Sequence, residues 1–214
     1  AVLMGIIIVV ACILQGCVPS EKRQTYDVVV YGGTSAGVTA SVQAARMDRS
    51  VILIEPGRHL GGKTSSGLGQ TDIGKKETVG GLSREFYERV GQHYGKTLQL
   101  KFEPHVAEQV FEAMVEEAGV KVLRGERLDR SAGGLKKKKS NITSIRLESG
   151  KTIAGEMFID ATYVGDLMAA AGVSYTVGRE PADKYGESLA GTLNSEKYVR
   201  EDIDPYVKPG QPSS

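Results

Sequence analysis

The alternation of apolar and polar positions divides the chain into segments of different period. Ala1 to Leu14 is apolar and uncharged, and the composition turns abruptly polar at Pro19-Ser20-Glu21-Lys22-Arg23. Tyr26 to Tyr31 then has the β-branched density of a strand buried on both faces. A glycine-rich turn leads into a helical pattern from Ala36 to Met47, whose small residues Gly37, Ala40, Ala44 and Ala45 allow close approach to a sheet. Val51 to Ile54 is a second buried strand, completing a strand-turn-helix-strand unit.

Gly57 to Gly81 is rich in glycine and poor in hydrophobic residues, which predicts a long irregular segment of the kind that usually carries function. Helical spacing returns at Gly81 to Tyr94 (Leu82, Phe86, Tyr87, Val90) and at Pro104 to Ala118 (Val106, Val110, Phe111, Met114, Val115). Proline opens the second of these helices and Gly119 closes it. From Val120 the period becomes two: Val120 to Leu123, Ile142 to Leu147 and Lys151 to Ile159 predict a β-meander, with Lys136 to Lys139 as a solvated loop tip. A short helix is expected from Asp166 to Ala171, and the Pro-, Gly- and Ser-rich residues beyond Asp202 read as a linker or a broken-off end.

Composition narrows the function. With 27 basic and 26 acidic residues, the chain has a formal net charge of +1 and no broad field for nucleic acid. Its two cysteines, Cys12 and Cys17, lie in or beside the apolar N-terminal stretch, so the body of the protein has no thiolate nucleophile and no cysteine metal site. That stretch is short of the ~20 apolar residues of a spanning helix and reads as an export signal over residues 1–17, followed by a linker at 18–25. Leu14-Gln15-Gly16-Cys17 resembles the lipobox of bacterial lipoproteins, which makes Cys17 the expected lipidation site and the cell envelope the expected location. An uncleaved anchor and an ordinary signal peptide remain the alternatives.

The candidate chemistry lies in the first strand-turn-helix-strand unit. Gly32-Gly33-Thr34-Ser35-Ala36-Gly37 stands where a dinucleotide fingerprint presents backbone amides to a pyrophosphate, although Thr34 replaces the middle glycine. Glu55 ends the second strand 18 residues after Gly37, where a carboxylate accepts ribose hydroxyls and repels a 2′-phosphate. Turn and acid together favour NAD or FAD over NADP. Three later features favour FAD. Arg58-His59-Leu60-Gly61-Gly62 resembles the second glycine pair of glutathione-reductase-like flavoproteins, the β-meander replaces a helical crossover, and Asp160-Ala161-Thr162-Tyr163-Val164-Gly165-Asp166 resembles the A-T-G turn and Gly-Asp of that class.

With YGGTSAG, HLGG, GLGQTDIG, FEPHVAE, FIDATYVGDLMAAAGV and YTVGRE, the chain resembles the bacterial FAD-dependent oxidoreductases over Tyr26 to about Gly191. The resemblance implies an α/β fold: a Rossmann-like FAD-binding domain over residues 26–191, a parallel sheet with helices plus a β-meander, with the substrate domain largely missing and residues 192–214 a linker or truncated end. It places Gly32, Gly33, Ser35, Ala36 and Gly37 at the FAD diphosphate, Glu55 at the adenosine ribose, Gly61 and Gly62 alongside, and Asp166 near the ribityl chain or phosphate. Lys63 departs from the apolar residue expected after the glycine pair. The implied activity is transfer of a hydride or electrons from a small organic or carbohydrate-derived substrate to flavin.

Two other functions are weighed against it: an NAD-dependent Rossmann dehydrogenase, and a surface lipoprotein that acts on or binds polysaccharide, since some relatives carry the label xanthan lyase. Among isolated residues, His105 could donate a proton near the flavin or could simply cap and pack. His59 is expected to pack beside the glycine pair, His93 to lie on the surface at a helix end, and Asp72 to reach the flavin edge or to stabilise its loop. No spacing points to a metal.

Overall fold

The computed structural model describes residues 25–72, 74–178 and 182–187. The export segment with Cys17, residues 18–24 of the linker and the tail from 192 lie outside the described residues. Two compact units divide the chain, Ala1–Val173 and Ser174–Ser214. Of the second, residues 174–178 and 182–187 are described; the latter hold the 3-10 turn Ala182–Lys184, where the Glu187 amide donates to the Ala182 carbonyl.

In the first unit, β1 (Thr25–Tyr31) passes through the glycine turn into α1 (Ser35–Arg46) and then β2 (Val51–Glu55). Two helices follow the irregular segment, α2 (Gly81–His93) and α3 (Pro104–Glu117), before β3 (Lys121–Arg124), β4 (Leu135–Lys138), β5 (Asn141–Arg146), β6 (Thr152–Asp160) and the short α4 (Asp166–Ala170). The six strands form one sheet in the order β3-β2-β1-β6-β5-β4. β3, β2, β1 and β6 run parallel, whereas β6, β5 and β4 form an antiparallel meander.

Consecutive apolar residues in β1 and β2 are explained by burial on both faces of the sheet. Val30 and Leu53 pack with Val38 and Val42 of α1 and with Phe86, Phe111 and Met114 of α2 and α3. Their neighbours Val29, Tyr31, Ile52 and Ile54 face the other way, onto Leu128, Ile145, Leu147 and Leu167. Behind β2 the Phe86 ring stacks on Phe111 with centroids 4.4 Å apart, and Phe102 meets Phe86 edge-on at 5.8 Å. The helices are also tied by charge: Arg46 of α1 grips Glu85 of α2 through two bonds of 2.7 and 2.8 Å, and Arg89 joins Glu85 to Glu117 of α3.

The sheet corrects the sequence reading in two places. Val120 to Leu123 does not begin the meander, because β3 pairs in parallel with β2 from Ile52↔Lys121 to Glu55↔Arg124. The meander's first strand is β4, so Lys136 to Lys138 are strand residues rather than a loop tip, and only Lys139, at φ 58°, makes the turn. An exposed edge strand needs no apolar alternation, which is why lysines hid it.

Candidate functional site

Parallel strands bring their carboxyl ends to one edge, where the irregular connections meet. At the end of β1 the Gly32 amide donates to the Ile54 carbonyl at 2.7 Å, and Gly32 adopts φ 104°. A Cβ there would lie 2.8 Å from the Ala161 carbonyl carbon, so only glycine fits. At Gly37 a Cβ would lie 1.8 Å from the Gly32 carbonyl oxygen, the close contact of helix and turn expected from the sequence.

Thr34, which stands in place of the middle glycine, is the N-cap of α1. Its hydroxyl accepts from the Gly37 amide at 3.3 Å and donates to the Ala161 carbonyl at 2.7 Å, fastening the turn to the end of β6. The departure is a structural substitution with its own hydrogen bonds, and a Thr immediately before a helical pattern was the signal for it.

Glu55 turns back over this loop. One carboxylate oxygen accepts from the Gly33 amide and the other from the Gly57 amide, both at 2.5 Å. A carboxylate has about four acceptor positions, so two amides leave capacity for ribose hydroxyls. The two glycine segments are joined directly: the Gly61 amide donates to the Gly33 carbonyl at 2.7 Å, and the Ser35 hydroxyl donates to the Gly61 carbonyl at 2.9 Å.

On the far side, Asp160 builds the turn after β6. It accepts from the Thr162 amide and hydroxyl at 3.0 and 2.7 Å and from the Met168 amide of α4 at 2.8 Å. Tyr163 reaches from this turn to the second glycine pair, where its hydroxyl accepts from the Lys63 amide at 2.7 Å. The Lys63 ammonium lies 5.3 Å from the centre of the Tyr163 ring.

These elements enclose a cleft of about 300 Å³. Of the residues expected at the site, Gly32, Glu55, Gly62 and Asp166 line it. Gly33, Ser35, Gly37 and Gly61 form the framework behind, and Ala36 is exposed at the start of α1. The bare face of Gly61 is taken up by the protein itself, since a Cβ would lie 2.4 Å from the Phe111 ring. Thr34 lines the cleft too, and so do residues to which the sequence reading gave no role: Tyr31, Arg127, Leu128, Arg130 and Tyr163. Burial pushes the Tyr31 phenol up, and its oxygen accepts from the Leu128 amide at 2.9 Å. Arg130 stands 3.6 Å from Asp166 across the cleft. No periodicity marks an arginine in a connecting loop.

His59 is exposed at the rim and bonds Glu108 at 2.7 Å rather than packing beside the glycines. His105 is exposed on the first turn of α3 and does not line the cleft, and no side chain caps that helix. His93 is exposed at the end of α2 beside Tyr94, and Asp72 is exposed in the irregular segment. Among the described residues, no group of three or more His, Cys, Asp or Glu side chains could hold a metal ion.

The arrangement suits an adenine dinucleotide. Gly32 and Gly62 line the cleft, the first turn of α1 holds no acidic residue, and Arg127 and Arg130 line it beside the carboxylate of Glu55 and supply positive charge. A βαβ unit with a meander and an acid at the end of β2 defines a dinucleotide-binding domain of the flavoprotein kind. Residues 27–211 match the family described as FAD dependent oxidoreductase, and the chain belongs to that family, whose cofactor is FAD.

A stretch of 44 residues is 46% identical to a vinyl phenol reductase of Lactiplantibacillus plantarum, covering 21% of this chain and 9% of that protein. The fold is similar to that of L-proline dehydrogenase from P. horikoshii, with a TM-score of 0.54 and 16% identity over 74% of this chain and 59% of the other. An L-amino acid deaminase from Proteus vulgaris aligns with a TM-score of 0.49 and 16% identity, over 73% of this chain and 58% of its own. The chain therefore spans less than two thirds of the length of each. The family match supports the flavin reading, and neither the nicotinamide nor the polysaccharide alternative gains support from these similarities.

Proposed function

We propose that this chain forms the FAD-binding part of an oxidoreductase that passes a hydride or two electrons from a small organic substrate, carbohydrate-derived ones included, to the flavin. The observation that carries the reading is that Glu55 and Gly32 line one cleft at the start of α1. Bound FAD would supply the two-electron acceptor. The chain's own residues bind and orient it: Glu55 accepts from the ribose hydroxyls and repels a 2′-phosphate, while Gly32, Gly33, Ser35, Ala36 and Gly37 bring the N-terminus of α1 to the diphosphate. Gly61 supports this turn from behind through Gly33, Gly62 borders the path of the dinucleotide, and Asp166 lies toward the ribityl chain or phosphate.

Purified chain should show flavin absorption bands after addition of FAD, and Glu55→Ala should weaken FAD binding by at least about tenfold, the loss of a charge-assisted hydrogen bond. A folded Glu55→Ala chain that binds FAD as tightly as the parent would sink the assignment. We also propose export and lipid anchoring at Cys17, on the strength of the lipobox-like Leu14 to Cys17. Fatty-acid labelling in a bacterial host that disappears in Cys17→Ser is the expected result.

A further inference from the structure

Gly62 lines the cleft, yet the place its missing Cβ would take is filled, because the Tyr163 hydroxyl lies 2.2 Å from that position. The same oxygen accepts from the Lys63 amide at 2.7 Å, and the ring lies under the Lys63 ammonium at 5.3 Å. Otherwise the ring is loosely held, with Tyr163 63% exposed. Gly61 offers no second approach, because the Phe111 ring that covers it is 2% exposed and belongs to the core. Of the two glycines in the second pair, one is therefore shut by a core ring and the other by a surface ring that one hydrogen bond and one cation–π contact hold in place.

We propose that Tyr163 is a latch that decides which part of the dinucleotide the cleft admits. The proposal rests on the reading of the cleft as an FAD site. With the latch closed, the space beside Glu55, Pro56 and Leu128 is open to an adenosine phosphate, whereas the bare backbone of Gly62 is covered. With Tyr163 turned aside, the Gly62 backbone and the Lys63 amide are exposed together. The released amide then becomes an unpaired donor beside the Lys63 ammonium, a pairing suited to the anionic diphosphate. Opening breaks one exposed hydrogen bond and one exposed cation–π contact. Both are modest, so the closed form exceeds the open one by about tenfold and lowers the apparent affinity for the whole dinucleotide by that factor.

The test is to titrate the whole chain with ADP and with FAD, and to follow FAD association by stopped-flow fluorescence, in the parent, Tyr163→Ala and Tyr163→Phe. ADP should bind all three alike. FAD should bind Tyr163→Ala about tenfold more tightly and faster, and Tyr163→Phe, which keeps the ring but loses the acceptor, about threefold. Circular dichroism should match throughout, because the replaced side chain is exposed. If ADP binds normally but FAD binds Tyr163→Ala no better than the parent, the latch is overturned while the cofactor site stands. If ADP binds to none of the three, the cofactor reading fails and the latch fails with it.

Discussion

A Cβ added at Gly37 would lie 1.8 Å from the Gly32 carbonyl oxygen, whereas one added at Gly74 would meet nothing within 4 Å. Both residues belong to glycine-rich stretches of the sequence. In the turn between β1 and α1, glycine is demanded by backbone packed on backbone, so its removal is a matter of folding. In the segment from Gly57 to Gly81, only part of the glycine has such a cause: Gly61 lies under Phe111 and Gly69 against the Phe102 carbonyl, while a side chain at Gly74 would have open space among the described residues. The first stretch is thus fixed by the fold, whereas in the second closely packed glycines such as Gly61 and Gly69 alternate with uncrowded ones such as Gly67 and Gly74.

Substitutions can break or sharpen this contrast. Gly37→Ala should be the most damaging, at about 3 kcal/mol or more, because neither the helix nor the turn can retreat from a backbone contact. Urea unfolding that shows less than about 1 kcal/mol would refute the rigid-turn account. Gly61→Ala combines a residue at φ 98° with the Phe111 ring 2.4 Å from the new atom, and should cost about 2 to 3 kcal/mol by the same measurement. Gly74→Ala should change stability by less than about 0.5 kcal/mol.

Between these lies a change in the helical layer. The bond from Arg46 holds the Glu85 carboxyl at about 2, below its ordinary value of 4.5, against a smaller opposing effect of burial. A carboxyl lowered in the fold contributes stability that is complete above about 4.5 and is lost as the pH falls through about 2. Glu85→Gln should cost about 1 kcal/mol near neutrality, after allowance for solvent screening of a partly exposed pair, and should flatten stability across that window. An unchanged acid profile in the variant would mean that the pair contributes nothing.

The sequence made the doubly buried strands legible because β1 and β2 are apolar at consecutive positions, and it made the turn legible because glycines stand at fixed offsets before a helical period. It also brought Glu55 to the right strand end, since the strand ends where its apolar run does. What it could not show depends on contacts distant along the chain. Tyr163 meets Lys63 across 100 residues, and Thr34 meets Ala161 across 127. Arg127 and Arg130 sit in a connection with no periodicity, and β4 lacks the apolar face by which a strand is recognised. Thr34 looked like a defect in the fingerprint only because a hydroxyl's partners cannot be seen from its neighbours.

The lysines of β4 have a consequence beyond the strand they obscured. Among the described residues the sheet ends in two edge strands, β3 and β4, and the backbone groups of an edge strand recruit other extended chains. Here one border carries Lys136, Lys137 and Lys138, with the Lys137 ammonium bonded to the Ala171 carbonyl, and the other carries Lys121 and Arg124. A strand arriving at the β4 border must bring its backbone up against positive charge, whereas at the β3 border Arg124 is already paired with Glu112. Self-association through the β4 border is thereby disfavoured, in a protein whose net charge alone would give it little protection.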